Sequence, residues 1–93
     1  MKKTNSRRPT ETKKILKKYN LSAAVWAEGK YYVSKCPELG VASFGTTPEQ
    51  ALQKLNEAVE LYLENARLLG IISELMPVLN SRLRFTTMMQ VAI

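Results

Sequence analysis

Thr46-Thr47-Pro48-Glu49-Gln50 is the segment that most restricts how this 93-residue chain can fold. Thr47 can accept from the backbone N–H of Gln50 while the Gln50 amide reaches back, a capping box, and Pro48 stands at the first helical position, where its missing N–H costs nothing. A helix is therefore predicted to begin here. Ala51, Leu52, Leu55, Ala58, Val59, Tyr62, Ala66 and Leu69 follow at spacings of three and four and make one broad apolar stripe. Gly70 is placed to end it as a left-handed cap. Glu49, Gln53, Glu57, Glu60 and Glu64 lie between these positions and form a solvated acidic face.

The stretch before the helix has the other period. Leu21, Ala23, Val25 and Ala27 alternate with Ser22, Ala24, Trp26 and Glu28, which predicts a half-buried strand with one face turned to a core. Glu28-Gly29-Lys30 reads as a short turn, and Tyr31 to Lys35 as the returning strand of a hairpin. A two-residue and a three-residue loop place opposite residues inward, so either Tyr31 or Tyr32 joins Trp26 on the outer face. Pro37-Glu38-Leu39-Gly40 breaks the strand, and Val41 to Phe44 supplies a third.

Beyond the helix, Ile71 to Asn80 is read as irregular, with Pro77 stopping any helical restart at about Met76. From Arg82 to Val91 alternation returns, with Leu83, Phe85, Thr87, Met89 and Val91 on one side and Arg82, Arg84, Thr86, Met88 and Gln90 on the other. This predicts a fourth strand. The expected architecture is thus a two-layer α+β domain: a three-stranded antiparallel sheet, a long helix and a fourth strand, in the order β-β-β-α-β.

Composition bears on chemistry more than on fold. All eight acidic residues are Glu, and the chain has neither Asp nor His. A general base of the usual kind and a Ser-His-Asp triad are therefore missing, and Asp, a staple of two-metal sites, is absent. The single Cys36 has no intramolecular disulfide partner and no histidine co-ligands, which suits a reducing compartment. No catalytic residue, metal site or cofactor is expected. Apolar runs such as Leu68 to Ile72 are far shorter than the ~20 residues of a membrane span, and the basic N-terminus lacks an apolar signal core, so the expected location is the cytoplasm.

The net charge of +6 is unevenly distributed. Residues 1–18 carry Lys2, Lys3, Arg7, Arg8, Lys13, Lys14, Lys17 and Lys18 against Glu11 alone, a net of +7. Residues 19–93 carry six positive and seven negative charges, a net of −1. The first part is read as a basic, disordered arm, with structure beginning around Ile15, Leu16 and Tyr19, and residues 19–93 as the domain. Arg7, Arg8, Lys13, Lys14, Lys17 and Lys18 are candidate contacts to DNA or RNA phosphates, weighed against a simple solvated tail.

Trp26 and its neighbouring tyrosine are candidate interface anchors, because three strands and one helix cannot cover both faces of a sheet. Glu28 and Glu38 lie near strand ends, where structural or partner-pairing roles outweigh a catalytic carboxylate pair. Leu61 and Leu68, seven residues apart and off the main stripe, read equally as scattered surface leucines or as a second contact surface. With Phe85 and Met88 of the last strand they form the candidate oligomer interface, since so small a domain has a marginal core that self-association would supplement.

The run Ala24-Val25-Trp26, Tyr31-Tyr32-Val33, Cys36-Pro37-Glu38-Leu39-Gly40-Val41 and Phe44-Gly45-Thr46-Thr47-Pro48-Glu49-Gln50-Ala51-Leu52, followed by a long helix, resembles the HicB family of antitoxins over about residues 21–69. Its most specific part is the Pro-Glu-Leu-Gly turn followed by Gly-x-Thr-x-Glu-x-Ala-Leu. The resemblance implies a truncated RNase H-like fold and a protein that binds and neutralises a small, basic, mRNA-cleaving HicA-type toxin by masking its active or RNA-binding surface. On that reading Trp26, Glu28, Tyr31, Tyr32 and Glu38 would meet the toxin. An unpaired edge in a small sheet invites pairing, so a homodimer or higher oligomer is expected, formed through sheet edges or the Leu61 and Leu68 face. Three departures stand out. Thr46 replaces a frequent Asp and the Pro-Glu-Leu-Gly turn looks one residue short; a basic arm precedes the first strand; and no helix-turn-helix or ribbon-helix-helix segment follows in these residues. A stand-alone oligomeric nucleic-acid-binding protein that uses the arm is the alternative.

Overall fold

The computed structural model describes residues 18–82 and 84–93. The disordered-arm expectation for residues 1–17 lies outside them, as does Leu83. Three strands, β1 (Ala24–Glu28), β2 (Tyr31–Cys36) and β3 (Val41–Gly45), form an antiparallel sheet in the order β1-β2-β3, followed by α1 (Pro48–Leu68) and α2 (Ile72–Leu79). The three-stranded antiparallel sheet and long helix of an α+β domain are as expected.

The β1–β2 hairpin closes on the pair Glu28 and Tyr31, so its loop is the two residues Gly29 and Lys30, with Gly29 at φ 64°. That length settles which tyrosine faces outward. Val25, Ser34 and Ser43 lie side by side across the sheet, as do Trp26, Val33 and Phe44, and successive residues alternate faces. Ser34 faces α1, its Oγ donating to the Ala51 carbonyl at 2.8 Å. Tyr32 therefore shares the inner face with Ser34, and Tyr31 the outer face with Trp26.

Helix α1 starts at the expected residues. The Gln50 N–H donates to Thr47 Oγ1 at 3.0 Å, and Pro48 occupies the first turn. The Gln50 side chain reaches back one residue further than a standard box: its Oε1 accepts from the Thr46 N–H at 2.7 Å and from the Thr46 hydroxyl at 3.1 Å. The approach of sheet to helix is close here. A Cβ on Gly45 would lie 2.6 Å from the Ala51 nitrogen, so only glycine lets β3 end directly beneath the first turn of α1.

At the other end, the Gly70 N–H donates to the Arg67 carbonyl at 3.1 Å and the Ile71 N–H to the Ala66 carbonyl at 2.9 Å, with Gly70 at φ 76°. This is a Schellman cap. Because an alanine would have to adopt the left-handed conformation there, Gly70→Ala is expected to cost about 1 kcal/mol in urea unfolding. An unchanged midpoint would show that this cap relaxes freely.

Two expectations are corrected. Ile71 to Asn80 is not irregular, since α2 runs through Pro77. The first four N–H groups of any helix lack partners, so in eight residues proline removes a single bond, and the Asn80 N–H still donates to the Met76 carbonyl at 2.9 Å. Ile72, Leu75 and Met76 are half-buried and Leu79 fully buried, an apolar stripe that offsets the loss. The fourth strand from Arg82 to Val91 is also not formed among the described residues, where 84–93 carry no regular structure. Alternation makes a segment capable of pairing but does not supply the neighbour whose backbone completes the ladder.

The buried apolar residues are Cys36, Ala51, Leu55, Ala66 and Leu79, joined by Ser34. Most are small. Helix α1 lies mainly over β3 and β2 and touches β1 least, so Val25 and Ala27 remain exposed on the inner face of β1. At ~1.5 Å per residue α1 is about 30 Å long, against about 17 Å for a five-residue strand, so it overhangs the sheet.

Candidate functional site

The outer sheet face carries a row of apolar side chains in cross-strand register, Trp26, Val33 and Phe44, with Tyr31 beside it. Trp26 is 42% exposed, Tyr31 49% and Phe44 56%. The Tyr31 and Phe44 rings meet edge to face, with centroids 5.8 Å apart and planes at 82°, an arrangement worth about 0.5–1.5 kcal/mol beyond burial. At the β3 edge the Lys54 ammonium lies 5.7 Å from the Phe44 ring centroid. Glu28 stands opposite Tyr31 at the hairpin end. Edge-to-face packing fixes the rings before any partner arrives, which lowers the ordering cost of binding.

The predicted contact residues thus separate into two groups. Trp26, Glu28 and Tyr31 share one surface. Tyr32 does not, because it is half-buried on the inner face. Phe44 belongs to the surface but was not singled out in the sequence. The four-residue loop Pro37 to Gly40 between Cys36 and Val41 sets it opposite Val33, a register that could be counted only once both strand ends were known.

Glu38 has a different task. Its carboxylate accepts from Arg84 Nη1 at 2.8 Å and from the Ser22 N–H at 3.1 Å, and the Cys36 thiol donates to it at 3.5 Å. Arg84 also donates to the Ser81 carbonyl through Nη2 at 2.6 Å. With its side chain only 8% exposed, Glu38 straps the approach to β1, the end of β2 and the segment after α2 together. Burial alone would raise its carboxyl, but the hydrogen bonds from Arg84, Ser22 and its own backbone outweigh burial and hold it at about 2. It is not free to pair with a partner.

No match to this chain is found among protein-family models, curated proteins or solved structures.

Burial raises the Cys36 thiol above its ordinary value, and the carboxylate of Glu38 adds to the effect against an opposing backbone bond from Leu39. Cys36 is therefore expected to react with a maleimide only as the fold opens, with unfolding in urea restoring ordinary reactivity. Fast labelling of the native chain would contradict this burial. Among the described residues no cluster of three or more Cys or Glu could hold a metal ion, and no helix is long and apolar enough to cross a membrane.

Leu61, Leu68, Phe85 and Met88 are all exposed, the last two at 90% and 94%. Leu61 and Leu68 lie on α1, away from the sheet's outer row. Glu49, Gln53, Glu57, Glu60 and Glu64 are likewise exposed along α1. The pair Arg67 and Glu64, 2.6 Å apart and more than half exposed, adds little stability. Of the basic contact residues only Lys18 is described, and it is exposed; Arg7, Arg8, Lys13, Lys14 and Lys17 lie outside the described residues.

Proposed function

We propose that this chain is a non-enzymatic protein-binding domain, an antitoxin of the HicB kind that neutralises a small basic mRNA-cleaving toxin of the HicA kind in the cytoplasm. The observation that carries this reading is the uncovered row of Trp26, Val33 and Phe44 with Tyr31, a central aromatic patch of the composition that anchors protein interfaces. The Pro-Glu-Leu-Gly turn and the Gly45 to Leu52 segment that shape this sheet and its helix also carry the resemblance to that family. Glu28 beside the patch and the acidic face of α1 complement a basic partner and would accelerate its docking.

The same surface favours one other reading. Lys35 alternates onto the outer face, with Lys30 in the adjoining turn and Lys54 at the edge, and aromatics among lysines can stack single-stranded nucleic acid. Glu28 and the near-neutral domain favour a protein instead. On this antitoxin reading the neighbouring reading frame should encode a small basic protein with a histidine, and the deciding experiment co-expresses the two and measures growth and co-purification. Rescue of growth and a stoichiometric complex are expected. No rescue, with salt-sensitive binding to single-stranded RNA that Trp26→Ala abolishes, would establish the nucleic-acid reading in its place.

A further inference from the structure

The β1 edge of the sheet, the groove beside it and the segment after α2 share a property: each is incomplete alone. β1 ends the sheet and has no strand on its outer side among the described residues. β3, the other edge, ends beneath α1, with Gly45 buried against the first turn. On the inner side of β1, Val25 and Ala27 are exposed because α1 sits over the other strands. A groove of about 890 Å³ opens just before the start of β1, between residues 18–23 and the flank of α1, where Leu52, Val59 and Leu63 line it with Glu49, Gln53 and Glu60. A strand added beside β1 would extend the ladder and lay every second side chain next to Val25 and Ala27 on the inner face.

Residues 85–91 have the required pattern. Phe85, Thr87, Met89 and Val91 alternate with Thr86, Met88 and Gln90, and the segment is long enough to span the five residues of β1. Phe85, Met88 and Met89 are 90%, 94% and 84% exposed, so little among the described residues covers them. Their point of departure is fixed, since Arg84 is bonded to Glu38 and Ser81. Among the described residues the segment from there on has no strand partner, and none pairs with the outer side of β1. One donor strand and one acceptor edge per chain match in number, and a two-fold exchange satisfies both.

We propose that residues 85–91 pair with the β1 edge of a second copy of this chain, and that the exchange is reciprocal. The dimer so formed leaves the outer row of Trp26, Val33 and Phe44 accessible, because the edge of a sheet and its outer face are different surfaces. Self-association and partner binding can therefore fail separately.

The test uses the full chain. A mixture of isotope-labelled and unlabelled protein is expected to give intermolecular nuclear Overhauser contacts between β1 and residues 85–91, and sedimentation to give a dimer. Thr87→Pro removes a ladder donor from an exposed residue, so it should leave the circular dichroism of the monomer unchanged while raising the dimer dissociation constant by about tenfold or more. Val25→Lys, on the acceptor side, should do the same. A monomeric wild-type chain, contacts that are intramolecular, or a dimer insensitive to Thr87→Pro would each overturn the exchange.

Discussion

Replacing Trp26 by alanine is expected to weaken the proposed protein complex by about 2 kcal/mol or more, roughly thirtyfold in Kd, while costing the free domain no more than about 1 kcal/mol. The asymmetry follows from where the ring lies. In the free chain its indole is 42% exposed and packs only on the open sheet face, so truncation leaves no enclosed cavity. In a complex the same ring would be central and fully desolvated. Phe44→Ala should behave alike, because Phe44 is more exposed and is the ring against which Tyr31 packs. Tyr32→Ala is the control. Its side chain faces α1, so its loss should appear in unfolding and not in binding. Calorimetric titration beside urea unfolding separates the two effects, and a Trp26→Ala chain that binds as tightly as wild type would remove the outer face from the proposed interface.

The parts of this fold that could be read from sequence are those fixed by short-range chemistry. Thr47, Pro48 and Gln50 fix the start of α1, and Gly70 its end, because capping depends on residues within one turn. The hairpin was legible for the same reason, except for its register. That depended on whether the loop held two residues or three, and the observed pairing of Glu28 with Tyr31 decides it.

What sequence concealed is what distant residues decide. Pro77 carries a strong local signal against helix, yet the stripe of Ile72, Leu75, Met76 and Leu79 packs well enough to override one missing bond. The Arg82 to Val91 alternation has the period of a strand, but whether a strand forms depends on a neighbour that period cannot reveal. Glu38 illustrates the same limit at the level of a side chain. In sequence it is one glutamate in a turn, whereas its partners Ser22 and Arg84 lie 16 and 46 residues away. Phe44 became part of the candidate surface only through two successive strand registers, from Trp26 to Val33 and from Val33 to Phe44.

Glu38 also gives the chain a defined response to acid. Its carboxyl is held at about 2, below an ordinary value of 4.5, so the folded state favours the ionised form. The stabilisation is therefore fully present above about pH 4.5, and it is lost as pH falls toward 2 and the carboxylate is protonated in both states. Because the Arg84 side chain is 23% exposed and its charge is partly solvated, the pairing is expected to contribute about 1–3 kcal/mol. Urea unfolding of wild type and Glu38→Gln should differ by that amount at pH 7, with the gap narrowing below pH 4.5 and nearly closed at pH 2. Arg84→Met should show much of the same loss at pH 7, because the ion pair is the strongest bond to the carboxylate. A gap that does not change with pH would mean that Glu38 acts through packing rather than charge. Since Arg84 immediately precedes the segment 85–91, protonation of Glu38 should also loosen the point from which that segment departs, so that acid weakens the strap and the β1 exchange together.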